Sequence, residues 1–250
     1  MALPPLPEPL WVVLPDRVRG WLANMALQSA HTFDTLEEIR LRAGQPVQLV
    51  GVAAGGFLRE SGQLTSDPRT APSLTPAEVS DTARRASRHS VYAFEEEIRQ
   101  GFLTLPGGHR VGIAGRCVLV SGRVKTIDPV SGLNLRLHRQ VTGVAGPLLP
   151  KLLSPTPPFL YSTLIISPPG GGKTSLLRDL ARVLSEGGPA STGVSFPGRK
   201  VVIVDERSEL AGCWQGIPQL AVGSRTDVLD RCPKAEGIIM SLRGMSPDVI

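Results

Sequence analysis

Aromatic residues are scarce, at 4% of 250, so Leu, Val, Ile and Ala must supply most of any core. Cysteine is nearly missing. Cys117, Cys213 and Cys232 are widely spaced with no C-x-x-C pair, which argues against a disulfide or zinc framework and for reduced, buried thiols in a cytosolic compartment. No apolar run reaches the ~18–20 residues that a bilayer-spanning helix needs. The start, MALPPLPEPLWVVLP, lacks a positive leading region and is broken by proline, so it does not read as a signal peptide. Membrane contact is expected to be peripheral or through a partner. Clustered charge is absent too: the net +5 is spread along the chain, and no run of five or six basic residues marks a nucleic-acid footprint. Arg84, Arg85 and Arg88 form the densest group and suit a helix surface, so nucleic acid is not an expected partner. Only five of the 27 basic residues are lysines, which makes Lys173 conspicuous.

What is present divides the chain. Residues 1–145 read as a small α+β accessory domain. The first fifteen residues are Pro-rich and expected to be irregular or extended. A helix is expected from 16 to about 29, on the spacing of Val18, Trp21, Leu22, Met25 and Leu27. The alternation LEEIRL (36–41) predicts a strand, a turn at 43–46 follows, and 47–52 reads as the paired strand. Thr75, Pro76 and Glu78 carry the signs of a capped helix start, with the helix running to about 87. A second amphipathic helix is expected at 93–100, then strands at 102–105, 109–114, 115–120 and 133–137. Residues 146–158 are Pro-rich with almost no charge and mark a linker. Residues 159–250 form the second domain, in which 186–199 is a Gly/Ser/Pro-rich surface excursion.

SPPGGGKT, at 167–174, fits the P-loop pattern with Ser in place of the first Gly. The flanks agree: 160–166 (LYSTLII) has the character of a buried parallel strand, and Leu176, Leu177, Leu180, Val183 and Leu184 mark one face of a helix. The candidate binding residues are Ser167, Pro168, Pro169, Gly170, Gly171, Gly172, Lys173, Thr174 and Ser175. Glycines let successive backbone N–H groups curl around a phosphate, and the helix start adds its positive end. Lys173 would reach the β- and γ-phosphates of ATP, and the Thr174 hydroxyl would meet Mg2+. The competing reading is a Gly-rich turn with an incidental lysine. The Ser167 departure falls at the turn out of the strand, outside Gly170–Thr174 on which phosphate contact depends.

VVIVDERSEL, at 201–210, predicts a second buried strand ending in acids, the edge where α/β sheets hold ligands. Of Asp205 and Glu206, one can hold Mg2+ through water and the other can polarise the attacking water. The competing reading is a strand that ends in solvated charge. Arg207, Arg225 and Arg243, the last on a helical stretch at 235–245, are further candidates for stabilising phosphate charge, each against the alternative of a surface ion pair.

Six segments in order together resemble the stage III sporulation protein AA family, which is similar to the hexameric traffic ATPases of type II and type IV secretion. They are EIRLRAGQPV (38–47), YAFEEEIRQGFLTLPGGHRVGIAGRCV (92–118), SGLNLRLHRQVTG (131–143), LIISPPGGGKTSLLRDLAR (164–182), VVIVDERSELAG (201–212) and VGSRTDVLDRCPKAEGIIMSLRGMSPDVI (222–250). The resemblance implies an α/β fold with a RecA-like P-loop core and a parallel-rich sheet, preceded by the α+β domain. It implies a homo-hexameric ring, with Glu206 as catalytic glutamate and with arginines reaching the nucleotide from the first domain. Arg136 is the best positional match for such an arginine, ahead of Arg110 and Arg116. It further implies a cytoplasmic ATPase motor working through membrane-embedded channel proteins between mother cell and forespore. In the family, the stretch resembling MSPDVI runs on into a second acidic strand. The chain is therefore expected to be truncated and to hydrolyse ATP poorly beside a longer version. The rivals are a nucleic-acid-binding RecA-like ATPase, suggested by the pI near 9.5, and a non-hydrolysing switch in which ATP binding alone sets assembly.

Overall fold

Alternation of apolar and polar residues decides the first sheet. β1 (Glu38–Arg42) buries Ile39 and Leu41 completely, while Glu38, Arg40 and Arg42 face the other side, as the two-residue strand period requires. The computed structural model describes residues 6–51, 55–87, 101–154, 160–189 and 195–250. Two units divide the chain, Met1–His138 and Arg139–Ile250.

In the first unit, β1 joins β2 (Gln48–Val50), β3 (Gly56–Leu58), β4 (Leu64–Thr65), β5 (Phe102–Leu105), β6 (His109–Val120) and β7 (Arg123–Arg136). The strand order is β4-β3-β2-β1-β7-β6-β5, and every neighbouring pair is antiparallel. The apolar side chains of α1 (Glu8–Val13), α2 (Asp16–Gln28) and α3 (Pro76–Ala86) share one core with Ile39, Leu41, Leu133 and Leu135. α3 starts as the sequence predicts. Thr75 Oγ1 accepts the Glu78 N–H, and the Glu78 carboxylate accepts the Thr75 N–H, a reciprocal cap that stabilises a helix start by about 1 kcal/mol.

Several expectations change here. The Pro-rich start is not irregular throughout: Leu10, Val13 and Leu14 bury into the core, and Pro7 at the N-cap is compatible with the α1 turn it opens. Leu27 is 84% exposed, off the buried face made by Val18, Trp21, Leu22 and Met25. The strands expected at 109–114 and 115–120 are one strand, β6, bent by bulges near Gly115. The helix expected at 93–100 and Arg88 lie outside the described residues.

The second unit is built on α4 (Leu149–Leu152), α5 (Lys173–Glu186), β10 (Val201–Asp205), β11 (Thr226–Asp230) and α6 (Lys234–Gly244). The short strands β8 (Gly188–Pro189) and β9 (Ser195–Phe196) pair within the excursion. β10 and β11 run parallel, Val201 opposite Thr226 through Asp205 opposite Asp230. Leu149, Leu152, Leu180, Leu184, Val201 and Ile203 form its core. The stretch expected as a linker thus contributes Leu149 and Leu152 to this core, and Ala145, expected in the accessory domain, joins them.

The fold is mixed α/β, but the expected parallel-rich sheet is corrected. The large sheet is antiparallel, and all its neighbouring pairs except β1 with β7 join strands consecutive in the chain, whereas parallel pairing needs a long crossover. Among the described residues, parallel pairing is confined to β10 with β11 and to single bridges, one of which joins Val201 to Val249. The strand expected at 160–166 is also absent. Only Leu160 makes a bridge, to Leu153, while Leu164 is 82% and Ile166 81% exposed. A cavity of about 550 Å³, lined by Leu160, Ile165, Leu177, Val202, Val204 and Ile238, separates this segment from β10. Beyond that bridge, β10 does not lie alongside the segment at the ~4.8 Å spacing that a ladder needs.

Candidate functional site

The helix α5 begins where the glycine run ends. Gly172 is its N-cap at φ +80°, and Gly170 also sits at positive φ, +76°, a region costly for residues with a Cβ. The first helical hydrogen bond runs from the Leu176 N–H to the Gly172 carbonyl. The N–H groups of Lys173, Thr174 and Ser175 therefore lie at the helix start without intrahelical acceptors, as every helix start requires. Pro168, Pro169 and Gly170–Gly172 are exposed, and Lys173, Thr174 and Ser175 are half-buried.

Lys173 folds back over the start of its own loop. Its Nζ donates to the Ser167 carbonyl oxygen at 2.7 Å, to Ser167 Oγ at 3.2 Å and to the Pro168 carbonyl oxygen at 3.2 Å. Ser167 Oγ in turn donates to the Pro168 carbonyl at 3.0 Å. The unusual first residue is thus part of the network that holds the lysine. None of the residues from Ser167 to Thr174 lines the 550 Å³ cavity, so that apolar space is not the place for phosphates.

β10 delivers its two acids to different environments. Asp205 is 3% exposed. Its Oδ1 accepts the Glu209 N–H at 2.9 Å, and its Oδ2 accepts those of Leu210 at 2.8 Å and Ala211 at 2.9 Å. Glu206 stands in solvent and pairs with Lys234 on α6 at 3.4 Å. Two buried charges on α5 escaped sequence reasoning. Arg178, 2% exposed, donates from Nε to the Leu210 carbonyl at 2.6 Å and from Nη2 to the Glu209 carbonyl at 2.8 Å. Burial lowers its pKa, and Asp205 opposes the fall.

Asp179, 1% exposed, accepts the Ala145 N–H at 2.8 Å and pairs with Arg182 at 2.6 Å. Burial works to raise this carboxyl, but N–H bonds from Ala145 and Gly143 and the Arg182 guanidinium hold it below its ordinary range. A signal existed for Asp179: it lies three residues after Leu176 and four before Val183, on the apolar stripe of the helix.

The remaining candidates scatter. Arg225 donates to the Ser185 carbonyl at 2.9 Å, Arg243 is exposed in the last turn of α6, and Arg207 is exposed beside Glu206. Arg136 and Arg110 face each other across β6 and β7 in the first unit, and Arg116 bonds the Asp128 carbonyl there at 3.1 Å. Cys213 is buried, and burial, with Asp230 and Asp205 adding, pushes its thiol up to about 12. That makes it an inert core residue. Among the described residues no cluster of three His, Cys, Asp or Glu suits a metal ion, and no helix is long and apolar enough to cross a membrane.

The family whose pattern matches residues 9–250 is sporulation stage III, protein AA. The chain belongs to that family. It is 41% identical over 242 residues to the stage III sporulation protein AA of Bacillus subtilis (strain 168), covering 95% of this chain and 70% of that protein. It is also 30% identical over 124 residues to the uncharacterized protein ycf45 of Cyanidium caldarium, across 48% of this chain and 32% of that one. Among solved structures, the Legionella pneumophila ATPase DotB aligns with a TM-score of 0.42 and 15% identity, covering 97% of this chain and 59% of the other.

Proposed function

We propose that the second unit binds ATP with Mg2+ at Ser167–Ser175 and hydrolyses it, as the motor of a sporulation channel that resembles a secretion machine. The observation that carries the reading is the start of α5, where three N–H groups without helical acceptors follow a glycine loop across which the Lys173 ammonium reaches back to Ser167 and Pro168. Such a start favours an anion through both its donors and its dipole. The residues fit the group. Lys173 exchanges its bonds to Ser167 and Pro168 for phosphate oxygens, which requires only that the side chain swing off the loop. The Thr174 hydroxyl would hold Mg2+, an ion that keeps several waters and prefers oxygen donors.

Bound ATP supplies a phosphoric anhydride whose cleavage releases the work. Glu206 orients and polarises the attacking water after leaving Lys234. Asp205 has three of its roughly four acceptor positions occupied by N–H groups, so it would help to hold the hydrated ion through water. Its larger task is to order the turn after β10. Arg136 is the arginine from the first unit assigned to the γ-phosphate. A homo-hexameric ring, cytoplasmic and held to the membrane by channel proteins, completes the proposal. The membership of the chain in a sporulation family supports it.

The test is ATP binding and turnover in the wild type, Glu206→Gln and Lys173→Ala. Under this reading Lys173→Ala loses binding, while Glu206→Gln binds ATP and stalls. ATP bound without turnover in the wild type would instead favour a switch set by binding alone, a reading to which the Glu206–Lys234 pair lends support, and unchanged turnover in Glu206→Gln would remove Glu206 as the catalytic acid. Binding that survives Lys173→Ala intact would sink the loop as the site.

A further inference from the structure

The polar face of the first sheet gathers arginines around an open floor. Register places Arg40 opposite Asn134 and Arg42 opposite Gly132 across β1 and β7, and Gly112 and Ala114 opposite Asn134 and Gly132 across β7 and β6. Directly opposite residues share a face, so the small residues lie between the long ones. A cavity of about 310 Å³ opens there, lined by Arg40, Arg42, Gln45, Ser131 and Asn134 over Ala114 and Gly132.

The floor is open because Gly132 has no side chain. Neither backbone nor crowding demands that: its φ is not in the left-handed region, and an added Cβ would meet the Ala114 Cβ at 3.6 Å and the Arg42 Cγ at 3.7 Å, ordinary contacts.

The two guanidiniums are held but not used up. Arg40 donates from Nε to Asn134 Oδ1 at 3.1 Å and forms an ion pair with Glu38 at 3.0 Å, leaving Nη1 and Nη2 without a hydrogen-bond acceptor among the described residues. Arg42 gives both Nη1 and Nη2 to the one oxygen of Gln48, each at 3.2 Å. Burial lowers the Arg42 pKa and the Arg40 charge adds to the fall, with Glu38 opposing. Because arginine stays protonated regardless, the partly desolvated cleft holds two guanidinium charges against the one Glu38 carboxylate that pairs with Arg40, and a net positive charge remains. An anion offsets that charge.

We propose that this cleft is a phosphate-binding site, taking a tetrahedral oxyanion between the free amino groups of Arg40 and the Arg42 fork, with the Gln45 and Asn134 amides as neutral donors. Guanidinium forks match phosphate geometry, and two forks with neutral donors around them suit a group with three accessible oxygens better than a planar carboxylate. The site belongs to the first unit and does not depend on the P-loop reading. Its phosphate is either the free ion or the terminal group of a nucleotide.

The experiment titrates inorganic phosphate, and separately ATP, into the full chain carrying Lys173→Ala, at constant ionic strength with chloride as control. Backbone amide shifts of Gly112, Gly132 and Asn134 are the readout. Saturable shifts with phosphate are expected, weakened at least about tenfold in Arg40→Gln/Arg42→Gln. Gly132→Val, which keeps both charges and fills the floor, weakens binding as well. Saturation by ATP at these same amides identifies the nucleotide as the source, and saturation by phosphate alone identifies the free ion. Equal shifts with chloride, or phosphate affinity unchanged in the double variant and in Gly132→Val, would overturn the site.

Discussion

Arg178 and Asp205 hold one turn by its two kinds of backbone group. The guanidinium takes the carbonyl oxygens of Glu209 and Leu210, and the carboxylate takes the N–H groups of Glu209, Leu210 and Ala211. The turn begins at Glu206, so α5, the helix that the glycine loop opens, is tied to the segment that carries the exposed acid.

Replacing Arg178 by Met leaves two partly buried carbonyls and the Asp205 charge without this partner. Loss of one member of a buried charged network costs about 3 kcal/mol, and the midpoint of urea unfolding should fall accordingly. A double-mutant cycle with Asp205→Asn should show a coupling above about 1 kcal/mol. Additive effects would mean that the two side chains act on the turn independently.

Ser167→Gly removes one of the three acceptors that hold Lys173 on its own loop, the hydroxyl at 3.2 Å. A neutral acceptor lost from the competing arrangement is worth about 0.5–1 kcal/mol. ATP affinity, measured by calorimetry, should therefore rise about two- to fivefold. A weaker affinity would place the hydroxyl on the nucleotide.

His109 sets a pH dependence in the first unit. It is 4% exposed and its Nδ1 accepts the His138 N–H at 2.9 Å, and burial pushes its pKa down to about 4 from 6.5. The unfolded chain takes up the proton first as pH falls. Stability from the neutral ring is therefore complete above about pH 6.5 and is lost progressively toward pH 4, a loss of roughly 3 kcal/mol. His109→Gln keeps an acceptor for His138 and cannot titrate. Its melting temperature should vary less between pH 7 and pH 4.5 than that of the wild type, and parallel pH profiles would contradict this.

Local patterns made most of the first unit legible. The alternation of EIRLR and the Thr75–Glu78 cap concern neighbours in sequence, and both appear where the residues place them. The β10 strand was likewise readable from its run of Val and Ile before Asp205. The 160–166 segment was not, because apolar character licenses a strand only where a partner edge lies alongside, and a cavity intervenes. Within the candidate site, the order of loop, helix and acidic strand was visible, but the roles of Arg178 and Asp205 were not. Arg178 depends on carbonyls 31 and 32 residues away in the chain, and Asp205 on how the backbone turns back on it over the next four to six residues, neither of which a helix or strand spacing rule reports.

Glu206 and Lys234 supply the last test. Their ion pair, at 3.4 Å, is solvent-exposed, and pairs of that kind are worth about 0–1 kcal/mol. Under the proposed function, Glu206 must give up this partner before it can orient water. Lys234→Gln removes the competitor while leaving the acid and the loop untouched. Overall stability should stay within about 0.5 kcal/mol, and ATP turnover should rise by up to about fivefold, the most that the pair can have withheld. A variant that keeps its stability but loses turnover would assign Lys234 to the chemistry itself, and Glu206 would no longer be the acid that acts alone.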